Sequence, residues 1–316
     1  FAAVATLLFL LAAFRPVGLD QDSENYVQYY YGNTEQILEF TFTAISALVS
    51  FFADSPRGMF VVYALLGILL HTWAVTRSTP FWLLALVVWM GNFYLYQEVT
   101  QIRVAVAAGL FLVGLSYLAK GEKRTYLLFS LAAACFHYSA FVLPLLTFFG
   151  SRPLTLRGRL VIGAIPLLGY LLFFGGFDPI ASLPIPWIQE KLWIYERLRD
   201  SGMAGDAINV FNIVYVMRLL VFYLLLWKYD VIKEQAPNLS LLLKVFAISY
   251  FCFTALGALP VMAFRYAELF GVVEIVMVPY LALTMKPEAF GKSLVIVFAF
   301  GCMMLNVFYN ELLKLS

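Results

Sequence analysis

The side chains with chemistry to offer are few. Arg15, Arg103 and Arg265 carry guanidinium groups, Asp20 and Asp22 carry carboxylates, and His137 is one of 2 histidines. Arginine stays protonated at any working pH, and its planar fork donates two parallel hydrogen bonds, which suits it to a diphosphate. A carboxylate or an imidazole can take a proton from a hydroxyl, the imidazole near neutral pH. Together these groups fit a substrate with a lipid-linked diphosphate. Singly, such a charge often does no more than mark a helix end at the membrane boundary.

Two further charges, Arg218 and Glu274, fall about midway along apolar stretches. A charge at that depth costs about 2.5–3.5 kcal/mol on insertion scales, so it faces a cavity or a partner. Either the two pair with each other as structure, or Arg218 serves the substrate. His71 lies within a plain apolar span and receives no role. Asp20-Gln21-Asp22 has the Asp-x-Asp form with which some glycosyltransferases hold a divalent metal, but three residues in an acidic stretch are too short a signal. No metal or other cofactor is expected. Glycine-rich phosphate loops, nucleophile elbows and zinc spacings are absent from the sequence.

The elements that position these residues lie in a membrane. A chain of 316 residues that is 63% hydrophobic and 13% charged reads as all-α, a single polytopic membrane domain over 1–316. About 9–11 membrane helices are expected, some of them re-entrant or short half-helices. The net charge of +2, with basic residues gathered in short loops, excludes nucleic acid as a partner. Cys135, Cys252 and Cys302 sit in apolar runs at unrelated spacings, so neither a disulfide framework nor a metal site is suggested.

The stretch from Tyr126 to Gly150 is long enough for one span, yet both flanks are basic: Lys120, Lys123 and Arg124 before it, Arg152, Arg157 and Arg159 after it. Basic flanks stay in the cytoplasm, so the stretch reads as a hairpin that turns at His137, Tyr138 and Ser139 and returns through Pro144. Polar backbone at membrane depth is tolerated only where it lines a cavity; the turn is therefore expected in a site.

The rest of the chain is ordered by the same reasoning. Phe1 to Phe14 is shorter than a bilayer needs and reads as the end of a span that begins upstream. Residues 15–36 form an external acidic loop. The stretch 37–53, marginal in length and interrupted by Glu39, Thr41, Thr43 and Ser46, reads as re-entrant or surface-lying, without a full crossing. Met59–Val75 runs inward, Phe81–Tyr96 outward, and Val104–Ala119 inward to the cluster KGEKR. After the hairpin, Leu160–Phe177 goes out to an external loop, 178–210, where Trp187, Ile188, Leu192, Trp193, Tyr195 and Leu198 suggest an amphipathic helix on the outer leaflet. Phe211–Trp227, Leu241–Leu259, Tyr266–Thr284 and Leu294–Tyr309 complete the spans, and the chain ends outside.

The order RPVGLDQDSENY, QIRVAVA, a basic turn, then FHYSA resembles the EpsG-like members of the Wzy-type polysaccharide polymerases, which include O-antigen polymerases. Phe136, His137, Ser139 and Ala140 match the family's Phe-His-x-Ser-Ala; Arg15, Gly18 and Tyr26 match its Arg, Gly and Tyr, with Leu19 where Thr is usual. Asp20 has the family's spacing from Gly18 and Asp22 its spacing to Tyr26, so the corresponding aspartate is either one. Ile102, Arg103 and Ala107 match Ile-Arg-Gln-x-x-Ala, with Val104 in place of Gln and Gln101 as a substitute. EKLWIY and FRYAELF extend the resemblance into the second half.

The resemblance implies a bundle of the membrane glycosyltransferase (GT-C-like) type in a bacterial inner membrane, with its site facing the periplasm. It implies undecaprenyl-diphosphate-linked oligosaccharides as substrates: the growing chain leaves its lipid diphosphate for a hydroxyl on the terminal sugar of an incoming lipid-linked unit, without a nucleotide sugar. Membrane lipid, a chain-length regulator and a flippase are the partners it suggests. On this reading Arg103 and Arg265, with Arg15 or Arg218, hold the diphosphate, and Asp22 or Asp20 is the base, with His137 second. Tyr26, Gln101, Ser139 and Glu268 join the substrate site, while Lys191, Tyr195, Arg197 and Arg199 guide glycan or lipid headgroup. The rivals are a metal-using transferase of polyprenyl-phosphate sugars and a transporter of lipid-linked oligosaccharides; a transporter is expected to show internal repeats, and none is visible.

Overall fold

The computed structural model describes residues 2–34, 38–177, 193, 197 and 207–314. In chain order the helices are α1 (Ala2–Phe14), α2 (Ser23–Tyr30), α3 (Phe40–Phe52), α4 (Arg57–Ser78) and α5 (Trp82–Val88), which runs on as a π-helix (Trp89–Thr100). They continue as α6 (Ile102–Ala119), α7 (Lys123–Phe136), a 3-10 helix (Tyr138–Phe148), α8 (Leu156–Phe174), α9 (Ile213–Trp227), α10 (Leu239–Ala255), α11 (Pro260–Gly271) and α12 (Glu288–Phe308). The all-α expectation is met: no strand occurs among the described residues, only a lone β-bridge between Asp20 and Leu313.

Among the described residues five stretches are long and apolar enough to cross a bilayer: Arg57–Ser78, Ile102–Ala119, Leu156–Phe174, Pro260–Leu283 and Glu288–Phe308. Shorter apolar helices accompany them, and the chain is a multi-pass membrane protein. It divides into two compact units, one formed by Phe1–Ser151 with Ile275–Ser316, the other by Arg152–Glu274.

In the first unit α6 is apolar on nearly every side and is buried accordingly, between α4 and α7. The stretch after α7 folds back as the basic flanks require. The Tyr126 hydroxyl donates to the Leu143 carbonyl at 2.6 Å, whereas a straight helix would separate two such residues by about 25 Å. The Ser151 hydroxyl likewise donates to the Ala119 carbonyl at 3.0 Å, which brings the two flanks together. The break falls at His137, whose backbone is extended (φ −153°, ψ 120°), and the return leg is a 3-10 helix that accommodates Pro144.

Residues 15–36 are not a plain loop, because they contain α2. No apolar period marks this helix. Asp20 Oδ1 accepts the backbone N–H groups of Asp22 and Ser23, which satisfies its amino end, and Tyr26 is buried among Phe42 and Phe60. The 13 residues of α3 span only about 20 Å, short of the bilayer's hydrocarbon core. The far end of the chain meets the region after α1. Lys314 N–H donates to the Leu19 carbonyl at 2.8 Å and Gln21 Nε2 to the Glu311 carbonyl at 3.1 Å, so two segments expected on one side of the membrane do lie together.

The π-helix leading to Arg103 is held by close packing. Gly91 meets α12 so tightly that a Cβ there would stand 2.2 Å from the Ala299 carbonyl oxygen, a backbone atom that cannot swing aside. Gly91→Ala is therefore expected to lower the thermal midpoint of the detergent-solubilised protein by several degrees, while Gly150→Ala, with open space at its Cβ, leaves it unchanged. On the other side of the π-helix Glu98 is buried against His71, whose Nδ1 lies 3.0 Å from Glu98 Oε1 and 3.0 Å from the Gly67 carbonyl, with the Trp89 ring stacked on the imidazole. His71, given no role from sequence, fastens the π-helix to α4.

The second unit is built on α10, which packs against α8 and α11. The Tyr170 and Tyr250 hydroxyls share a hydrogen bond of 2.9 Å between α8 and α10. On the basic turn Arg159 pairs with Asp230 at 2.7 Å.

Candidate functional site

In the first unit the two motifs that carry Arg103 and His137 come together on a residue the sequence reading passed over. Arg103 Nη1 donates to Glu39 Oε2, and His137 Nδ1 lies 3.2 Å from Glu39 Oε1, which also accepts the Tyr138 backbone N–H at 3.4 Å. The helix break in FHYSA exposes that N–H, and the start of α6 brings the arginine. Two more bonds tie the Glu39 segment to the break: Thr41 Oγ1 donates to the Cys135 carbonyl at 2.6 Å, and the Tyr138 hydroxyl to the Leu38 carbonyl at 3.1 Å.

The guanidinium of Arg103 lies among three rings, with its central carbon 5.5 Å from Tyr26, 5.9 Å from Tyr29 and 5.7 Å from Phe42. Such rings present electron-rich faces to a cation and keep water away. Burial pushes the Tyr26 hydroxyl up to about 12, although the Arg103 charge opposes the shift. Arg103 Nε and His137 Nε2 are buried and have no hydrogen-bond partner among the described residues. Burial alone would raise the Glu39 carboxyl, but the hydrogen bond with His137 and the Arg103 charge outweigh it and bring it down to about 2. A base so weak is ill suited to removing a hydroxyl proton. Glu39 is placed to hold the arginine and the histidine.

The other residues singled out from sequence fall as follows. Asp20 is fully buried: Oδ2 pairs with Arg15 Nε at 2.9 Å and Oδ1 takes the two N–H groups that begin α2. Arg15 also donates to the Ala12 carbonyl at 2.6 Å, so the Arg15–Asp20 pair shapes the turn from α1 into α2. Asp22, half-buried, is the residue before α2, whose next turn carries Tyr26 to the Arg103 ring cage. Gln101 immediately precedes α6 and donates from Nε2 to the Tyr96 hydroxyl at 3.0 Å, and Ser139 is half-buried in the turn after His137. Among the described residues no three His, Cys, Asp or Glu side chains converge as metal ligands would.

The second unit holds its own charged cluster. Arg218, 2% exposed, donates from Nη1 and Nη2 to the two oxygens of Glu268 at 2.8 and 3.2 Å, and its Nε lies 2.8 Å from Glu274. Tyr215 adds a hydroxyl to Glu268 at 2.6 Å. The pairing of Arg218 with Glu274 suggested by their depth is present, and Glu268 completes it. The Arg218 guanidinium is thus already engaged by two carboxylates. Arg218→Met is expected to cost about 3–5 kcal/mol, because it strands Glu268 and Glu274 in the interior; a thermal melt in detergent measures the loss.

Arg265 lies exposed on α11 of this unit. In the stretch 178–210, expected from sequence as an external loop, Lys191, Tyr195 and Arg199 lie outside the described residues. Arg197 is described only with Trp193, whose ring centre its guanidinium carbon approaches to 3.6 Å.

The protein-family model described as the EpsG family matches residues 1–315. No curated protein and no solved structure matches the chain.

Proposed function

The chain belongs to the EpsG family, a family of polysaccharide-polymerase-like proteins, and from that premise we propose that it elongates polysaccharide by glycosyl transfer between undecaprenyl-diphosphate-linked oligosaccharides. The reaction takes place on the periplasmic face of a bacterial inner membrane. What supports this most is the convergence of three donors, from Arg103, the His137 ring and the Tyr138 N–H, on one carboxylate. Donors that gather around an anion of the chain itself are of the kind that a phosphate oxygen uses.

In the proposed step the bond between the sugar's anomeric carbon and the diphosphate oxygen breaks, and a bond to the acceptor hydroxyl oxygen forms. Negative charge grows on the departing diphosphate, which the guanidinium of Arg103 stabilises in a site already shaped for it. Glu39 keeps Arg103 and His137 in place. The acceptor hydroxyl gives its proton to Asp22, with His137 the second candidate; Asp20 is committed to Arg15 and to the backbone of α2. The proposal rests on residues of the first unit and assigns no step to Arg265 or Arg218.

The test uses the purified protein in detergent with the lipid-linked unit that accumulates when its gene is deleted. Lengthening of the product without a nucleotide sugar is expected, undiminished by a metal chelator. No lengthening, although the protein moves the same unit across liposome membranes, would identify a transporter. Lengthening that the chelator abolishes would identify a metal-dependent transferase.

A further inference from the structure

Beside the Arg103 cage the first unit carries an open groove of about 440 Å³, within the roughly 300–1,000 Å³ of small-molecule sites. Tyr29 and Phe42 belong to both features: their rings surround the guanidinium, and they also form part of the groove wall. A ligand held at Arg103 that extends past these two rings therefore enters the groove.

The groove's lining is unusual for a surface in a membrane. Thr43, Ser46 and Ser50, spaced three and four residues apart, put hydroxyls along one face of α3, and Thr34 adds another from the chain before it. Elsewhere on the same helix Phe40, Leu48, Phe51 and Phe52 are exposed, with Phe51 and Phe52 at 82% and 78%. Apolar side chains are thus exposed on part of the helix, while Thr43, Ser46 and Ser50 line the groove. The Ser46 hydroxyl donates to Met59 Sδ at 3.9 Å and the Ser50 hydroxyl to the Ala47 carbonyl at 2.9 Å, so what these oxygens still offer is acceptor capacity, which an isoprenoid chain cannot use. A sugar ring meets both demands, because its hydroxyls bond Thr and Ser while its C–H faces lie against aromatic rings.

We propose that this groove is a sugar subsite, taking the sugar joined to the diphosphate at Arg103. The inference rests on the diphosphate reading, and the two are separable by experiment. Wild-type protein in nanodiscs is titrated with bare undecaprenyl diphosphate and with the lipid-linked unit that accumulates in the gene deletion. The glycan-bearing lipid is expected to bind at least tenfold more tightly. Ser46→Trp, which fills the groove, should remove that advantage and leave the affinity for the bare lipid unchanged. The double variant Thr43→Ala, Ser50→Ala should reduce the same advantage with little risk to the fold.

If the glycan adds nothing in wild type, or if all groove variants keep its advantage, the subsite is wrong. Equal weakening of both lipids by Ser46→Trp would overturn it too, and would make the groove a lipid site. If Arg103→Ala keeps full affinity for both lipids while Ser46→Trp abolishes the sugar advantage, the diphosphate assignment fails and the subsite stands.

Discussion

Cells that carry Arg103→Ala in place of the wild-type protein are expected to lose long polysaccharide while the variant reaches the membrane in normal amount. Loss of one donor that stabilises growing charge costs about 100- to 1,000-fold in rate, enough to leave only unpolymerised or very short chains. Arg103→Lys is expected to recover little. A lysine ammonium has no planar fork, so it cannot bond Glu39 and a phosphate oxygen in the same plane, and it sits less well among the rings of Tyr26, Tyr29 and Phe42. Gel profiles of the polysaccharide beside immunoblots of membrane fractions check this. Wild-type chain length in Arg103→Ala would remove the residue from the mechanism.

The second large effect belongs to Glu39. Glu39→Ala leaves Arg103 and His137 without the carboxylate that fixes them, and it is expected to lower elongation by about 10- to 100-fold, as misplacement of a catalytic group does. It should also cost about 2–3 kcal/mol in stability, less than for a fully buried pair because the Arg103 side chain is 17% exposed. Glu39→Gln keeps acceptor oxygen and shape and should retain more activity than the alanine variant.

The pH dependence separates holding from proton transfer. Because Glu39 is lowered to about 2 in the fold, its contribution to stability is complete above its unfolded value of 4.5 and is lost only as pH falls towards 2. Between pH 5 and 8 the carboxylate does not titrate. Glu39→Gln should therefore depress the pH–rate profile without changing its shape, whereas Asp22→Asn should remove a limb of it. A limb that disappears with Glu39→Gln would make Glu39 the base.

Much of this was legible in the sequence because membrane folding restricts where charge can go. Basic flanks on both sides of Tyr126–Gly150 forced a fold-back, which the bond from Tyr126 to Leu143 fulfils. The depth of Arg218 and Glu274 called for a partner, and each supplies the other's. Glu39 was read only as an interruption in a short apolar stretch, since its partners lie 64 and 98 positions away and no local spacing announces them. The one available signal was a carboxylate at the start of an apolar helix with no basic residue nearby. Spacing left Asp20 and Asp22 equivalent; only coordinates show that Asp20 is spent on Arg15 and on starting α2. The π-helix before Arg103 was also unreadable, because an apolar run buried on most sides has no period to reveal an extra residue per turn.

The most direct test of the diphosphate site is covalent mapping with an undecaprenyl diphosphate analogue that carries a photoreactive group next to the phosphates. After irradiation of the protein in nanodiscs, mass spectrometry should find the label on peptides containing Glu39, Arg103 or His137 and Ser139, and Arg103→Ala should abolish it. Label confined to peptides around Arg218 and Glu268, with no signal at the first three, would contradict the account.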